Sequence, residues 1–252
     1  MRILAITQAR VGSSRLHAKI LKKINNETLL DIHIQRILRS KKIWKLIVAT
    51  TNEPEANAIV SITEKYDVQS FRGPLNDVLK RFYLAALSEK PDYVVRLTSD
   101  CPLIDAQLID EVIDFAVNNV KYDYVANALN PTYPDGVDVE VLKFSALERA
   151  YREATLLSDR EHVTPYIWRN SSTNGGDVFQ SFSIENSQDY SLFRLTVDEQ
   201  SDFEVVKHLI STLGKDKSWI DYINYLISRS DISSLNSKIK RNQGYIKSIK
   251  KD

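Results

Sequence analysis

Through the first hundred residues, short β-branched runs that end in polar residues alternate with longer amphipathic stretches. That rhythm marks a mostly parallel sheet with helices laid on its faces, an α/β fold. Strands are expected at residues 2–7, 46–50 and 93–98, and helices near 28–40, 53–66 and 76–89. After residue 101 the rhythm loosens. There the pattern predicts a helix near 106–118, strands at 122–127 and 137–142, helices at 144–154 and 159–170, a loop over 170–177 and a strand near 178–184. No long Pro, Gly or Ser tract and no internal repeat divides the sequence, so residues 1–252 are expected to form one domain, with a small arm protruding between about 130 and 190. The lysine-rich stretch 233–252 reads by composition as a solvated tail.

Composition narrows the partners. A hydrophobic content of 43% over 252 residues supports a sizeable core, and 34 basic against 33 acidic residues leave no global field that would collect nucleic acid or an anionic membrane. The apolar run at residues 3–6 stops too early for a secretory signal or a membrane span and reads as a buried strand. A single cysteine, Cys101, makes no internal disulfide and fits a reducing, cytoplasmic setting. No base or orienting partner for it is evident, which favours a small packed residue over a nucleophile.

Open parallel sheets bind ligands at the carboxyl ends of their strands. Two rich polar clusters fall at such ends, after Thr7 and after Leu97. The first, QARVGSSRLHAK over residues 8–19, carries Arg10, Arg15 and Lys19 to neutralise phosphates, Ser13 and Ser14 to donate hydrogen bonds, and Gly12 to let backbone amides approach an anion. It matches neither the P-loop nor the dinucleotide glycine pattern, so spacing alone leaves a basic surface turn equally open. The second, RLTSDCPLID over 96–105, places Asp100 just beyond a strand, and FRLTVDE over 193–199 repeats the design with Asp198. A pair of carboxylates, with phosphate oxygens and water, is what Mg²⁺ prefers, although a lone aspartate before a helix is more often an N-cap. In YPDGVDVEV, residues 133–141, acids alternate with valines, so Asp138 and Glu140 are expected on one wet strand face.

Together these segments resemble the cytidylyltransferases that activate KDO and sialic acids, and most closely the SpsF family of spore-coat polysaccharide biosynthesis. Residues 8–19 are similar to that family's QARxGSxRLPGK loop, departing at His17 and Ala18; RLTSDCPLID is similar to RLTGDCPLID, with Ser99 in place of glycine; FRLTVDEQSDFEVV resembles LRLTVDTPEDLELV. FRGPLNDVLKRF (71–82), PDGVDVEV (134–141), DREHVTPYI (159–167) and RNQGYIKS (241–248) also resemble family segments, so the likeness runs almost end to end.

The resemblance implies a Rossmann-like, GT-A-like nucleotidyltransferase sheet with helices on both faces. It implies CTP as substrate, Mg²⁺ or Mn²⁺ held by Asp100 and Asp198, and catalytic roles for Arg10, Lys19 and both aspartates. Gln8, Ala9, Arg10, Gly12, Ser13, Ser14, Arg15, Lys19, Arg72, Asp77, Arg81 and Ser99 would line the nucleotide. Asp135, Asp138, Glu140, Arg160 and His162 would face a small acidic sugar or phosphorylated acceptor. The expected reaction makes a CMP-activated product for a surface polysaccharide and releases pyrophosphate, and a homodimer is expected by family analogy. A nucleotide-sugar-dependent glycosyltransferase and a non-catalytic nucleotide-binding subunit are the rival readings. Three cations and two hydroxyls in one loop suit a free triphosphate better than a diphosphate donor.

Overall fold

The computed structural model of the protein describes residues 1–13 and 15–252; Ser14, one of the expected phosphate contacts, lies outside the described residues. Nine strands are described: β1 (Ile3–Gln8), β2 (Lys23–Ile24), β3 (Glu27–Thr28), β4 (Lys45–Thr51), β5 (Gln69–Gly73), β6 (Tyr93–Thr98), β7 (Tyr124–Ala126), β8 (Glu140–Lys143) and β9 (Ser181–Ser183). The helices are α1 (Leu29–Ile37), α2 (Asn57–Glu64), α3 (Val78–Leu87), α4 (Ala106–Asn118), α5 (Phe144–Glu153), α6 (Leu157–His162), α7 (Pro165–Arg169), α8 (Gln200–Leu213), α9 (Trp219–Ser228), α10 (Ser230–Ser233) and α11 (Gln243–Ile249).

Seven strands form one sheet in the order β5-β4-β1-β6-β8-β7-β9, and β2 pairs with β3 in a separate hairpin. All pairings from β5 to β6 are parallel, β8 runs antiparallel to both neighbours, and β9 is parallel to β7. The expected mostly parallel α/β sheet is therefore present. Period-two alternation divides β1 between two cores. Ile3 and Ala5 pack with Leu30 and Ile34 of α1, Ile109 of α4 and Val206 of α8, while Leu4 and Ile6 pack with Phe82 of α3 and Leu147 of α5. Helices thus cover both faces. Among the described residues, no helix is long and apolar enough to cross a membrane.

Local chemistry sets several boundaries. Thr28 and Asp31 form a reciprocal capping box that starts α1, and Asp77 caps α3 by accepting from the Lys80 amide. The strand expected from residue 137 begins only at Glu140. Before it, the Asn127 side chain donates to the Val137 carbonyl and accepts from the Val139 amide, taking main-chain groups that a neighbouring strand would have paired. The single helix expected over 159–170 is two, α6 and α7, because Val163 adopts φ 74° and Pro165 opens a new first turn. The segment 233–252 does not fray into solvent. Buried Asn236 donates to Asp202 and to the Arg194 carbonyl, Tyr245 stacks edge-on against His162 and Trp168, and the Asp252 carboxylate accepts from the Ser158 amide and hydroxyl.

Candidate active site

The carboxyl ends of β1 and β6 lie side by side, with Gln8 paired to Thr98. Beyond Thr98 the chain turns, and the Asp100 carbonyl accepts from the Val197 amide at 2.8 Å and the Thr196 hydroxyl at 3.1 Å. On the other side of the same segment, the Asp135 carbonyl accepts from the amides of Leu195 and Thr196. Residues 194–198 are thereby stitched between the loop after β6 and the approach to β8. Gly136 makes the second seam possible: its φ is +110°, and a Cβ there would lie 2.3 Å from the Thr196 nitrogen.

These seams bring Asp100 and Asp198 to one point. The Lys19 ammonium lies 2.8 Å from Asp100 Oδ2 and 2.7 Å from Asp198 Oδ1, and Arg15 donates to the same Asp198 oxygen at 2.6 Å. Neither acid serves as a helix cap. Asp105 caps α4 through the amides of Gln107 and Leu108, and ahead of α8 it is Asp202 that accepts from the amides of Asp198 and Glu199. Both carboxylates are left free to face Lys19. Burial opposes charge on Asp100, but the Lys19 ammonium and hydrogen bonds from Lys19 and Thr98 override it and hold the carboxyl well below its ordinary range. Burial likewise disfavours the Lys19 ammonium, yet Asp100 and Asp198 raise its pKa above the ordinary lysine value.

The first loop presents a cationic rim. Arg10 is exposed and makes no ion pair among the described residues, while Ser13 and Gly12 are partly or fully exposed. Gly12 has nothing within 4 Å of its Cβ position and no left-handed φ, so the turn itself does not require glycine there. The left-handed position falls instead at Ala18, φ 48°, immediately before Lys19. Ala9 is buried, with its amide on the Ala49 carbonyl, and Ser99 is also buried, with its amide 3.4 Å from the Gln8 carbonyl.

Residues 4–241 match the family model described as cytidylyltransferase. The chain belongs to this family. A protein of Methanocaldococcus jannaschii, named only as uncharacterised, is 37% identical over 96% of this chain and 97% of its own length. The spore coat polysaccharide biosynthesis protein SpsF of Bacillus subtilis is 30% identical over 84% of this chain and 88% of its own. Among solved structures, a cytidylyltransferase from Leptospira borgpetersenii superimposes with a TM-score of 0.86 at 34% identity, covering 92% of this chain and 97% of that one. The chain is thus a nucleotidyltransferase, on the Rossmann-like sheet its sequence implies.

Around the central pair, this cytidylyltransferase arranges the other expected residues unevenly. Arg81 is almost wholly buried in α3; its guanidinium donates to the carbonyls of Pro74 and Leu75, while burial and then nearby Arg10 lower its pKa to about 10. Its Nε has no partner among the described residues. Asp77 and Arg160, expected on opposite substrates, form an ion pair with each other at 2.6 Å. Arg72 donates to Asn57. Gln8 leaves its side-chain carbonyl oxygen buried without a hydrogen-bond partner, a cost a donor on a ligand would relieve.

The expectation of a wet face bearing Asp138 and Glu140 does not hold for Glu140. It is buried, ion-paired with Arg96 and accepting from the hydroxyls of Tyr124 and Thr164. The reason is the antiparallel register, which sets Glu140 opposite Arg96 of β6. Asp138 pairs with Arg241, and Asp135 is buried against Arg194, its pKa pushed up to about 7 by burial and then by Asp138. His162 accepts or donates at 2.9 Å to the Ser248 hydroxyl, and burial followed by Arg96 lowers its pKa to about 4. Cys101 is a buried packing residue whose thiol burial pushes up, away from reactivity.

Arg96, Arg194 and Arg241 escaped the sequence reading. Arg194, almost completely buried, binds Asp135, Asp202 and Asp198 together. A signal was available. Arg96 and Arg194 hold the same place in two Arg-Leu-Thr-x-Asp segments, each four residues before an aspartate of the pair.

Proposed function

We propose that this cytidylyltransferase binds CTP across the carboxyl edge of β1, β4 and β6 and transfers its CMP group to an acceptor hydroxyl. The acceptor is a small acidic sugar or phosphorylated compound whose activated form feeds a surface polysaccharide. The observation that carries the reading is the convergence of Asp100 and Asp198, remote in sequence, on one cation position beside a loop rich in cations.

That position fits a hard divalent ion. It offers two carboxylate oxygens, each within 2.8 Å of a single nitrogen, and among the described residues no group of three or more His, Cys, Asp and Glu could form an all-protein metal cage. Mg²⁺ characteristically takes one or two carboxylates and completes its shell with phosphate oxygens and water. When bound, Mg²⁺ or Mn²⁺ would neutralise charge on the α-phosphate and on the departing pyrophosphate. Arg10, Arg15 and Lys19 align the triphosphate and balance its charge, with Ser13 donating to phosphate oxygens. The acceptor oxygen forms a bond to the α-phosphorus as the bond to the bridging oxygen breaks, pyrophosphate leaves, and the hydroxyl proton passes to solvent. Alignment and charge neutralisation supply the rate, with no covalent enzyme intermediate. Gln8, with its unpartnered buried oxygen, Arg72 and Ser99 are assigned to the nucleoside side, and Asp135, Asp138, Arg160 and His162 to the acceptor side.

The test is pyrophosphate release from CTP and Mg²⁺ against a panel of ulosonic acids and sugar phosphates. One acceptor class should support turnover, and Asp100→Asn should lower it by about 10² or more, the scale of electrostatic transition-state terms. Wild-type turnover by that variant would remove Asp100 from the machinery. Turnover with a sugar-nucleotide donor but not with CTP would move the chain to glycosyl transfer.

A further inference from the structure

Lys19 holds the place that the metal reading assigns to a cation. Its ammonium is within hydrogen-bond distance of one oxygen from each aspartate, its side chain is 13% exposed, and Arg15 and Arg194 complete the neutralisation of Asp198. A divalent ion bridging the same two oxygens and this ammonium would require the same volume and would repel each other at contact distance. The same lysine belongs to the loop that the proposed function places on the triphosphate. One ammonium cannot serve both sets of oxygens at once. The flexible four-carbon stem and its point charge allow exchange between them without movement of the sheet.

Resting on that reading, we propose that Lys19 is an internal stand-in for the metal, which couples metal binding to nucleotide binding. Without nucleotide, Lys19 satisfies Asp100 and Asp198 and keeps free divalent ions out. Triphosphate oxygens draw the ammonium away, and the released carboxylates then accept the ion. Linkage makes the coupling reciprocal: whatever CTP does for the metal, the metal does for CTP. The design also gives the empty enzyme a closed charge network in place of two facing carboxylates, which would repel each other.

The experiment is Mn²⁺ binding to the full-length, nucleotide-free protein, followed by the electron paramagnetic resonance of free Mn²⁺. It compares wild type, Lys19→Met, Lys19→Gln and Lys19→Met combined with Asp100→Asn. Wild type should bind Mn²⁺ weakly, and both single variants should bind it at least about tenfold more tightly, inside the roughly 5- to 150-fold range usual for coupled sites. Adding Asp100→Asn should abolish the gain. Melting curves give a second readout: Mn²⁺ alone should raise the melting temperature of the two lysine variants and leave wild type nearly unmoved.

Equal or weaker Mn²⁺ binding in both lysine variants overturns the proposal, as does a gain that survives Asp100→Asn. These failures are separable from failure of the cytidylyltransfer reading, which is judged by CTP turnover in wild type and in Asp100→Asn alone.

Discussion

Arg194 fastens the segment that carries Asp198 to Asp135, on the approach to β8. Its guanidinium joins Asp135, Asp198 and Asp202, and it is only 4% exposed. Removing it leaves the buried Asp135 and Asp202 without an ion-pair partner among the described residues, whereas Asp198 keeps Lys19 and Arg15; Arg194→Ala should therefore destabilise the fold by about 3–5 kcal/mol, the usual result of breaking a buried network from one side. Arg194→Lys should recover little, because a lysine has no planar fork to reach three carboxylates. Denaturant unfolding of both variants checks this; a loss below about 1 kcal/mol in the alanine variant would contradict the network's role.

His33, in α1, is fully buried. Its Nδ1 faces the Cys101 carbonyl, which only accepts, so Nδ1 carries the proton and Nε2 accepts from the Thr7 hydroxyl. Burial lowers its pKa from 6.5 to about 4. The unfolded chain then binds the extra proton more readily than the folded one. The neutral ring's contribution is therefore fully present above pH 6.5 and is lost as pH falls toward 4, by at most about 3 kcal/mol. Unfolding free energies at pH 7 and pH 5 should differ less in His33→Asn than in wild type.

Among the elements, legibility followed the range of the deciding contacts. Residues 93–98 and 106–118 were readable to their ends because alternation and helical period are local, and because Thr98 and Asp105 mark the limits. The β2–β3 hairpin escaped because it is two residues per strand and turns through Asn25 and Asn26, both left-handed. The late start of β8 also escaped, since it depends on Asn127, a side chain from another strand's end. In the site, Asp100 and Asp198 were legible as acids at polar segment ends, whereas the pairing of Asp77 with Arg160 was not, because nothing local reports which opposite charges meet.

Helix α11 was hidden for the same reason: its lysines suggest solvent, and its docking rests on Tyr245 and Ser248. Deleting residues 242–252 should uncover His162. Burial leads the causes that lower its pKa to about 4, so in the shortened chain its titration should move up toward 6.5. Histidine NMR titration reads the shift directly, and an unmoved value would show that α11 is not what buries the ring.

The site exists only in the whole molecule. Lys19 follows β1, Asp100 follows β6, and the segment 195–197 that leads to Asp198 is held by the Asp135 and Asp100 carbonyls rather than by a strand of its own. A ligand that binds all three stabilises the assembled chain against the unfolded one, in which those residues are strangers. For CTP and Mg²⁺ at about 100 times the dissociation constant, the gain should be about 2.7 kcal/mol, seen as a rise of several degrees in melting temperature. Asp198→Asn keeps the backbone seams through Val197 and Thr196 and removes one carboxylate charge. Its own fold should therefore persist, and the rise given by CTP with Mg²⁺ should shrink or vanish. A full rise in that variant would mean that the nucleotide is held without the pair, and that residues 194–198 serve only to fasten the sheet's edge.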